Sequence, residues 1–459
     1  MTSESFPPAP AHLHLIGIGG IGMSALAQFF VSLGYTVSGS DRDLETPAQV
    51  KLFDKLRGQG MTIFLQDGSG VKETNPSALI YSSAIEDDNP DFIAAGETPR
   101  FHRSIAMAET VNRSGMKQIA VAGSCGKTSV TGWLTSALHN LGQNPVMING
   151  GYTTEFITET YPGNFKPGSN VIVYEADESD GSLVNFRPHT ALLLNMGIDH
   201  YEKDKLEVFF KEYLGHAKQT VLSSQLSYLV PESTKPFTFS ESLEDNAEKT
   251  IDSIEHTPEG VTFSVDNETA HTRQFGIHSA INALAVYTTL KANDFSTSES
   301  AASLKAFTGV GRRFDYKGNR GSKTVYDDYA HNVQKITACI KTTQGLSENP
   351  VVAVFQPHGY GPLGFMKDAL LEELKSVLRV EDKFVLLPVF YAGGTTSFKP
   401  TSNEVAEEYS HNGLPTACFE DRDELKAYLD GIKNAASVII LGARDPGLAD
   451  WAASLTESN

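Results

Sequence analysis

Cysteine is scarce here, with only Cys125, Cys339 and Cys418 in 459 residues. Neither the number nor the spacing makes a disulfide framework or a zinc site, and a reducing cytoplasm is the expected compartment. Basic residues are in deficit too, 37 Lys and Arg against 56 Asp and Glu, for a formal charge of -19. Surfaces that hold nucleic acid by its phosphates need the opposite balance, so nucleic acid is not an expected partner. No apolar run reaches membrane-spanning length, and Met1 to Pro10 contains neither a basic nor an apolar segment, so no membrane attachment or leader is expected. Low-complexity tracts and solenoid repeats are also missing. What remains is a globular composition, 40% apolar and 20% charged, in a chain too long for one core. An anionic ligand would have to be held by local devices, namely helix N-termini, a few Lys or Arg, and Mg2+, against an unfavourable overall field.

Three successive α/β regions follow from the pattern. From His12 an apolar strand, a helix-like stretch (Ile21 to Leu33) and a second strand ending at Asp41 make a β-α-β unit, with LIYSSAI (Leu79 to Ile85) a further strand of that sheet. The polar break VNRSGMK places a boundary near Gly115, giving residues 1–115 as the first domain. KQIAVAG then opens onto GSCGKTS and a helix from Val130 to Leu141, and two buried-looking strands end in EADESD and NMGIDH. Short polar β-like segments lead to the helix-like GIHSAINALAVYTTLKA, and the basic turn GVGRRFD sets a second boundary near Asp315. The remainder, residues 316–459, alternates strands with helices starting at Val333 and near Lys367, the pattern of a parallel α/β domain.

The chemistry-bearing residues sit where strands end. Gly17, Gly19, Gly20, Ile21 and Gly22 follow a strand and open a helix, permitting a tight turn and close approach of a diphosphate to the helix N-terminus. Asp41 lies 19 residues beyond Gly22, where dinucleotide folds place a ribose-binding carboxylate. The diphosphate of NAD and that of a UDP-sugar satisfy this pattern equally, and a tight turn without ligand is the structural alternative. Gly123, Ser124, Cys125, Gly126, Lys127, Thr128 and Ser129 also lie between strand and helix. There backbone N–H groups cradle phosphates, Lys127 reaches the terminal phosphates and Thr128 ligates Mg2+; the expected ligand is ATP. Cys125, inside this loop and beside Lys127, is placed for thiol reactivity. Glu175, Asp177, Glu178 and Asp180 close the next strand as carboxylates suited to Mg2+, or as a solvated acidic loop. His200 ends the strand after that.

Taken together and in this order, HLIGIGGIGMSALA, GSCGKTS, EADESD, NMGIDH, GIHSAINALA, GVGRRFD, DDYAHN and FQPH resemble the Mur ligase family over nearly the whole chain. The likeness is strongest to the branch holding the alanine-adding and murein-peptide recycling ligases. It implies three domains: a Rossmann-like one for a UDP-muramoyl sugar, a central P-loop ATPase and a Rossmann-like C-terminal one for an amino acid or peptide. The muramoyl carboxylate would take the γ-phosphoryl group of ATP to form an acyl phosphate, which the amine then attacks. Position by position, Gly17 to Gly22, Asp41 and Ser83 would serve the UDP-sugar. Lys127 would bind the terminal phosphates, Thr128 and Glu175 one Mg2+, and His200 a second. His278 and Asn282 would contact adenine, with Ser279 replacing the usual Asn. Arg313 and Asp328 would meet the nucleotide, and His331 the incoming amine. Lys218 is the nearest candidate for the carbamylated lysine of other branches.

The chain departs from the family where the amine is gripped. Where alanine-adding members read FQPHRYTRTR, this chain reads FQPHGYGPLG, with Gly359 and Pro362 in place of arginines. Charge-assisted hydrogen bonds contribute about 1.5 to 3 kcal/mol each, so L-alanine binding should drop by two or more orders of magnitude unless Lys367 or Arg444 compensates. Val333 replaces a common proline. A nucleotide-binding homologue without catalysis accommodates the lost arginines, and a dinucleotide-dependent oxidoreductase accommodates only the first glycine loop.

Overall fold

The computed structural model describes residues 5–177, 181–197, 203–240, 247–257, 259–391, 398–445 and 447–456. The chain divides into two compact units, Met1–Val310 and Gly311–Asn459.

The first unit opens with β1 (His12–Ile16), α1 (Ile21–Ser32), β2 (Thr36–Asp41), α2 (Pro47–Gly58), β3 (Thr62–Leu65), α3 (Ser69–Thr74), β4 (Ala78–Tyr81), α4 (Pro90–Ala95), β5 (Arg100–His102) and α5 (Arg103–Arg113). Its five strands are parallel in the order β3-β2-β1-β4-β5. Strand order reverses between β1 and β4, which opens a crevice at their carboxyl ends. LIYSSAI was expected to be strand as far as Ile85, but β4 stops at Tyr81. The Ile85 N–H bonds back to the Ser82 carbonyl in a turn, and Ser83 stands exposed on it.

A second sheet contains β6 (Lys117–Ala122), β7 (Pro145–Ile148), β8 (Phe165–Lys166), β9 (Val171–Glu175), β10 (Thr190–Leu193), β11 (Gln219–Ser223), β12 (Phe237–Ser240) and β13 (Lys249–Thr250). Their order is β13-β12-β11-β10-β6-β9-β7-β8, parallel except where β8 pairs with β7. Helix α6 (Lys127–Asn140) follows β6, starting one turn earlier than the expected Val130, and α7 (Lys203–Gly215) precedes β11. The polar β-like stretch forms an antiparallel sheet of β14 (Ser253–Thr257), β15 (Gly260–Val265) and β16 (Glu268–Thr272), ahead of α8 (Ile277–Ala292) and α9 (Thr297–Ser303).

These sheets share one unit because α1 is buried on nearly every side. Met23, Ala25, Leu26, Ala27, Phe29 and Phe30 are all inaccessible or nearly so, the mark of a helix packed between layers rather than on a surface. Phe29 approaches Phe165 of β8, with ring centroids 6.5 Å apart. Asn164 donates to the Ile21 carbonyl at 2.7 Å and to Ser24 at 2.9 Å, and accepts from Gln28 at 3.1 Å. Polar groups at such depth persist only when paired, so these three bonds fix α1 against the second sheet.

The second unit runs β17 (Asp315–Arg320), β18 (Lys323–Asp328), α10 (Val333–Leu346), β19 (Val351–Gln356), α11 (Tyr360–Val377), β20 (Lys383–Leu386), α12 (Ser402–His411), β21 (Thr416–Cys418), α13 (Arg422–Gly431), β22 (Ala436–Gly442) and α14 (Gly447–Ser454). The sheet order is β17-β18-β22-β19-β20-β21. It is not parallel throughout as expected, since β17 pairs antiparallel with β18 through a two-residue hairpin in which Gly321 supplies a φ of +59°.

One buried group makes the fold pH-sensitive. His14 of β1 has no exposed surface; its Nδ1 is 2.9 Å from Ser38 Oγ, and burial with His12 nearby pushes its pKa down to about 4. Unfolded histidine titrates near 6.5, so between the two values the unfolded chain binds the extra proton and stability is lost as pH falls through that window. Taking the unit from pH 7.5 to pH 5 should cost about 2 kcal/mol through this residue. Urea unfolding at the two pH values should show that loss, diminished in His14→Asn; an undiminished loss would assign it elsewhere.

Candidate active site

The first glycine loop is shaped by its own backbone. Gly17 takes a φ of +73°, and the N–H groups of Gly17 and Ile18 donate to the Ser40 carbonyl at 2.8 and 3.0 Å. Gly19 N–H donates to Asp41 Oδ2 at 2.8 Å, while Oδ1 accepts from Asp43 N–H at 2.9 Å. A Cβ on Gly19 would lie 2.8 Å from Asp41 Oδ2 and 2.9 Å from the Phe53 ring, so only glycine fits. Burial raises the Asp41 pKa against the pull of those two amides. Gly20 and Ile21 then start α1, and a Cβ on Gly22 would meet Arg103 Nη1 at 2.7 Å.

The second loop, Gly123 to Gly126, leaves β6 with φ of +132° at Gly123 and +88° at Gly126, and α6 begins at Lys127. Its neighbours in the sheet are β10 and β9. The segment after β10 clamps the loop: Asn195 Oδ1 accepts from Cys125 N–H at 2.9 Å, and Asn195 Nδ2 donates to the Cys125 carbonyl at 3.0 Å. Ser124 Oγ donates to the Gly197 carbonyl at 3.1 Å and accepts from Gly197 N–H at 2.8 Å. Lys127 Nζ donates to the Gly123 carbonyl at 2.7 Å, across the mouth of the loop. From the other side α8 closes in, with Asn282 Oδ1 only 2.9 Å from where a Cβ on Gly126 would stand. His278 is exposed one turn earlier on the same helix. The loop can therefore present helix N-terminal amides and an ammonium group to a phosphate chain.

At the end of β9, Glu175 Oε1 accepts from Gly150 N–H at 2.5 Å. Thr128 is buried in the first turn of α6, Ser129 is half-buried beside it, and β6 and β9 are adjacent with Val121 opposite Glu175. Thr128 and Glu175 thus flank one strand-end edge with hard oxygen donors, the type Mg2+ takes. Asp177 lies 3.8 Å from Lys127 Nζ and 3.7 Å from Arg103 Nη2. Glu178, Asp180 and His200 lie outside the described residues. Lys218 is displaced from this chemistry: it precedes β11 with Lys117 and His189 at the starts of the parallel strands, the edge opposite the loop. Asn195 and Arg103 were not singled out from sequence; a polar residue just past the strand beside a glycine loop is the signal for the first.

In the second unit, Asp328 ends β18 and accepts from Phe314 N–H at 2.6 Å and Ala330 N–H at 2.7 Å. Burial raises its pKa, opposed by Arg313 and those amides. Arg313 lies 5.3 Å over the Tyr329 ring. Asp327, wholly buried 3.4 Å from Arg312 Nε, is pushed up to about 6. His331 Nδ1 is 2.9 Å from the Tyr329 carbonyl oxygen, and its ring stands edge-on to His358 with centroids 5.1 Å apart. Burial, with His331 and Arg444 nearby, lowers the His358 pKa to about 4. The ends of β18, β19 and β22 thus bring His331, His358 and Arg444 to one edge. Arg444 is exposed and, among the described residues, makes no ion pair, whereas Lys367 is bound to Glu408 at 2.6 Å and Asp368 at 2.8 Å. A cleft of about 600 Å³ opens at this edge, lined among others by Gln356, Tyr391, Arg422, Asp445 and Trp451.

Comparison with known proteins gives a consistent match. Family models described as the Mur ligase family catalytic domain, the Mur ligase middle domain and the Mur ligase glutamate ligase domain match residues 12–114, 121–290 and 312–444. The UDP-N-acetylmuramate–L-alanine ligase of Gloeobacter violaceus is 32% identical over 450 residues, 94% of this chain and 92% of that protein. The ligase of the same name from Synechococcus sp. is 30% identical over 467 residues, 94% and 93% of the two chains. The solved structure of UDP-N-acetylmuramate–alanine ligase from Thermotoga maritima matches with a TM-score of 0.80 at 24% identity, covering 97% of this chain and 98% of that one. A murein peptide ligase from Psychrobacter arcticus matches at 0.65 and 22% over the same shares. At these identities the structural likeness speaks for the fold.

Cys125 is exposed while its peptide groups are held by Asn195. Iodoacetamide should therefore label this cysteine ahead of buried Cys339, and Mg-ATP should slow the reaction about tenfold by covering the loop. Peptide mass mapping that finds equal labelling with and without nucleotide would refute a phosphate-binding role for Gly123 to Lys127.

Proposed function

The chain belongs to the Mur ligase family, and from that premise we propose that it joins the carboxylate of a UDP-muramoyl sugar to an amine larger than free L-alanine. It is an ATP-dependent, amide-bond-forming ligase of peptidoglycan synthesis or recycling. The observation carrying the finer reading is the pair of helix N-termini, α1 and α6, each opened by a glycine turn, with Gly19 hemmed in by Asp41 and Phe53 and Gly126 at a φ of +88° against Asn282, while Asn164 holds α1 against the second sheet. One suits the diphosphate of the sugar and the other the triphosphate. An oxidoreductase leaves the second loop without a task.

In this reading Gly17 to Gly22, with Asp41 shaping the loop and Ser83 on the neighbouring turn, hold the UDP-sugar in the domain of residues 1–115. The loop from Gly123 to Ser129 holds ATP in residues 116–315, with His278 and Asn282 toward the base, Arg313 and Asp328 as further nucleotide contacts and Lys127 at the terminal phosphates. Thr128 and Glu175 would hold one Mg2+ and His200 a second; bound Mg2+ neutralises the triphosphate so that an anionic carboxylate can approach. The substrate carboxylate oxygen attacks the γ-phosphorus and ADP leaves. The amine nitrogen then attacks the acyl carbon, phosphate departs and the nitrogen loses a proton. Positioning and charge neutralisation supply most of what such phosphoryl transfer requires. The amine belongs to residues 316–459, beside His331. Because Lys367 is held by Glu408 and Asp368, Arg444 is the cation left to meet its carboxylate. The cytoplasm, where ATP and UDP-sugars occur together, is the proposed location.

Release of ADP and phosphate that depends on UDP-N-acetylmuramate and on one of a panel of amino acids and peptides, with the amide product weighed by mass spectrometry, tests this directly. Lys127→Ala should lower turnover by at least about a hundredfold while calorimetry finds UDP-sugar affinity within about threefold. Loss of both ligands together would contradict separate sites.

For the amine, Gly359→Arg with Pro362→Arg restores the missing charge. A Cβ on Gly359 would come within 3.2 Å of Pro362 Cδ, so the paired change removes that contact, while an arginine at the Gly359 φ of +158° still carries backbone strain. It should raise kcat/KM for L-alanine relative to larger amines by about tenfold or more. Efficient use of L-alanine by the unmodified protein, undisturbed by Arg444→Ala, would count against a larger amine.

A further inference from the structure

We infer that Arg312 and Asp327 are positioning residues: their buried ion pair holds the turn that presents Arg313 and Asp328 to the nucleotide, and neither touches the nucleotide itself. The inference rests on the function proposed above. Arg312 takes a φ of +61° and Phe314 one of +49°, so Arg313 stands between two residues in the left-handed region that side chains rarely adopt. Such backbone persists only where its surroundings over-determine it, and it gathers at functional sites. The Arg312 carbonyl accepts from Tyr329 N–H at 2.9 Å, and Phe314 N–H donates to Asp328 Oδ2 at 2.6 Å. The Arg312 guanidinium reaches inward, donating to the carbonyls of Gly442 at 2.5 Å and Asp445 at 3.3 Å, with Nε 3.4 Å from Asp327 Oδ2. The Arg313 guanidinium lies instead 5.3 Å from the centroid of the Tyr329 ring, which Arg312 also approaches, at 5.1 Å.

Successive residues of a strand face opposite ways, and at the end of β18 this divides the work. Asp327 meets a side chain in the interior, and Asp328 meets the backbone of the turn. Asp327 has no exposed surface, and neither of its oxygens has a hydrogen-bond donor among the described residues. Its hold on Arg312 is therefore one of charge, which protonation abolishes. The charged groups around it are Arg312, Lys317, Asp315 and Asp328, and burial outweighs the two cations, raising its pKa to about 6. A carboxyl whose pKa is raised by folding lowers stability as pH rises through the folded value. An ionised Asp327 at neutral pH thus works against the fold, and buried ion pairs in general add little to stability. What the charge does secure is the strained turn on which Arg313 stands.

Calorimetry on the full chain with β,γ-imido-ATP and Mg2+ should find that Asp327→Asn weakens binding about fivefold at about pH 7.5, and that it makes no further difference in an Arg313→Ala background. Its urea midpoint should not fall below that of the unmodified chain, since the neutral amide avoids the cost of the buried charge. Taking the unmodified chain to about pH 5.5 should weaken the analogue about threefold more than the same change does in Asp327→Asn, because Asp327 protonates in that interval and asparagine does not. Arg312→Gln should repeat the loss, and Arg312→Lys, which keeps the charge, should recover part of it. Equal weakening with and without Arg313, a lowered urea midpoint that accounts for the weakening, or no weakening at all overturns the inference and leaves the functional reading intact. An Arg313→Ala variant that binds as the unmodified chain does overturns the inference together with the nucleotide role of Arg313. An unmodified chain that binds no nucleotide overturns the functional reading and this inference with it.

Discussion

The first-turn amides of α1 and α6 have no carbonyl of their own helix to bond, and nearly everything else in the first unit arranges for them to face outward. Parallel strands deliver both helix starts to strand-end edges. The backbone can turn there only where no side chain intrudes, which is why Gly19 stands against Asp41 and Phe53, and Gly126 against Asn282. Once formed, each loop is held from a neighbouring strand: Asp41 takes the Gly19 amide, and Asn195 takes both peptide groups of Cys125. The separation of the loops is set by Asn164, Ser24 and Gln28, which hold α1 in register with the second sheet.

Charge is the second constraint. A chain with formal charge -19 repels anions at long range, so attraction has to be concentrated within a few ångströms of the loops. Lys127 sits at the phosphate loop with its ammonium on the Gly123 carbonyl, and Arg103 lies on the first turn of α1. In the second unit Arg312, Arg313 and Arg444 occupy the corresponding strand-end edge, partly neutralised by Asp327 and Asp328.

Much of this was legible because the chemistry imposes short-range spacing. Glycines between an apolar strand and a helix, followed by Lys-Thr, can be read without a partner in view, and so can the alternation of strands and helices. The partners were not legible. Asn195 lies far along the chain from Cys125, and only the pairing of β10 with β6 brings it to the loop. Asp41 was placed at the right strand end, yet its engagement by Gly19 depends on how the loop folds back. Lys367 looked available until the packing of α11 and α12 set Glu408 against it. Strand β4 ended early because the Ser82 carbonyl takes the Ile85 amide, a turn that alternating hydrophobicity does not disclose. The antiparallel β17 hinged on one glycine, Gly321.

The Asn195 clamp has a pharmacological corollary. A reactive side chain on a mobile loop has to be caught in the right orientation, but Cys125 has both peptide groups fixed and its thiol open to solvent. A nucleotide mimic bearing a mild electrophile would find its target atom already positioned. It would discriminate against phosphate loops that carry any other residue at that place, since they can match its reversible contacts but cannot form the thioether.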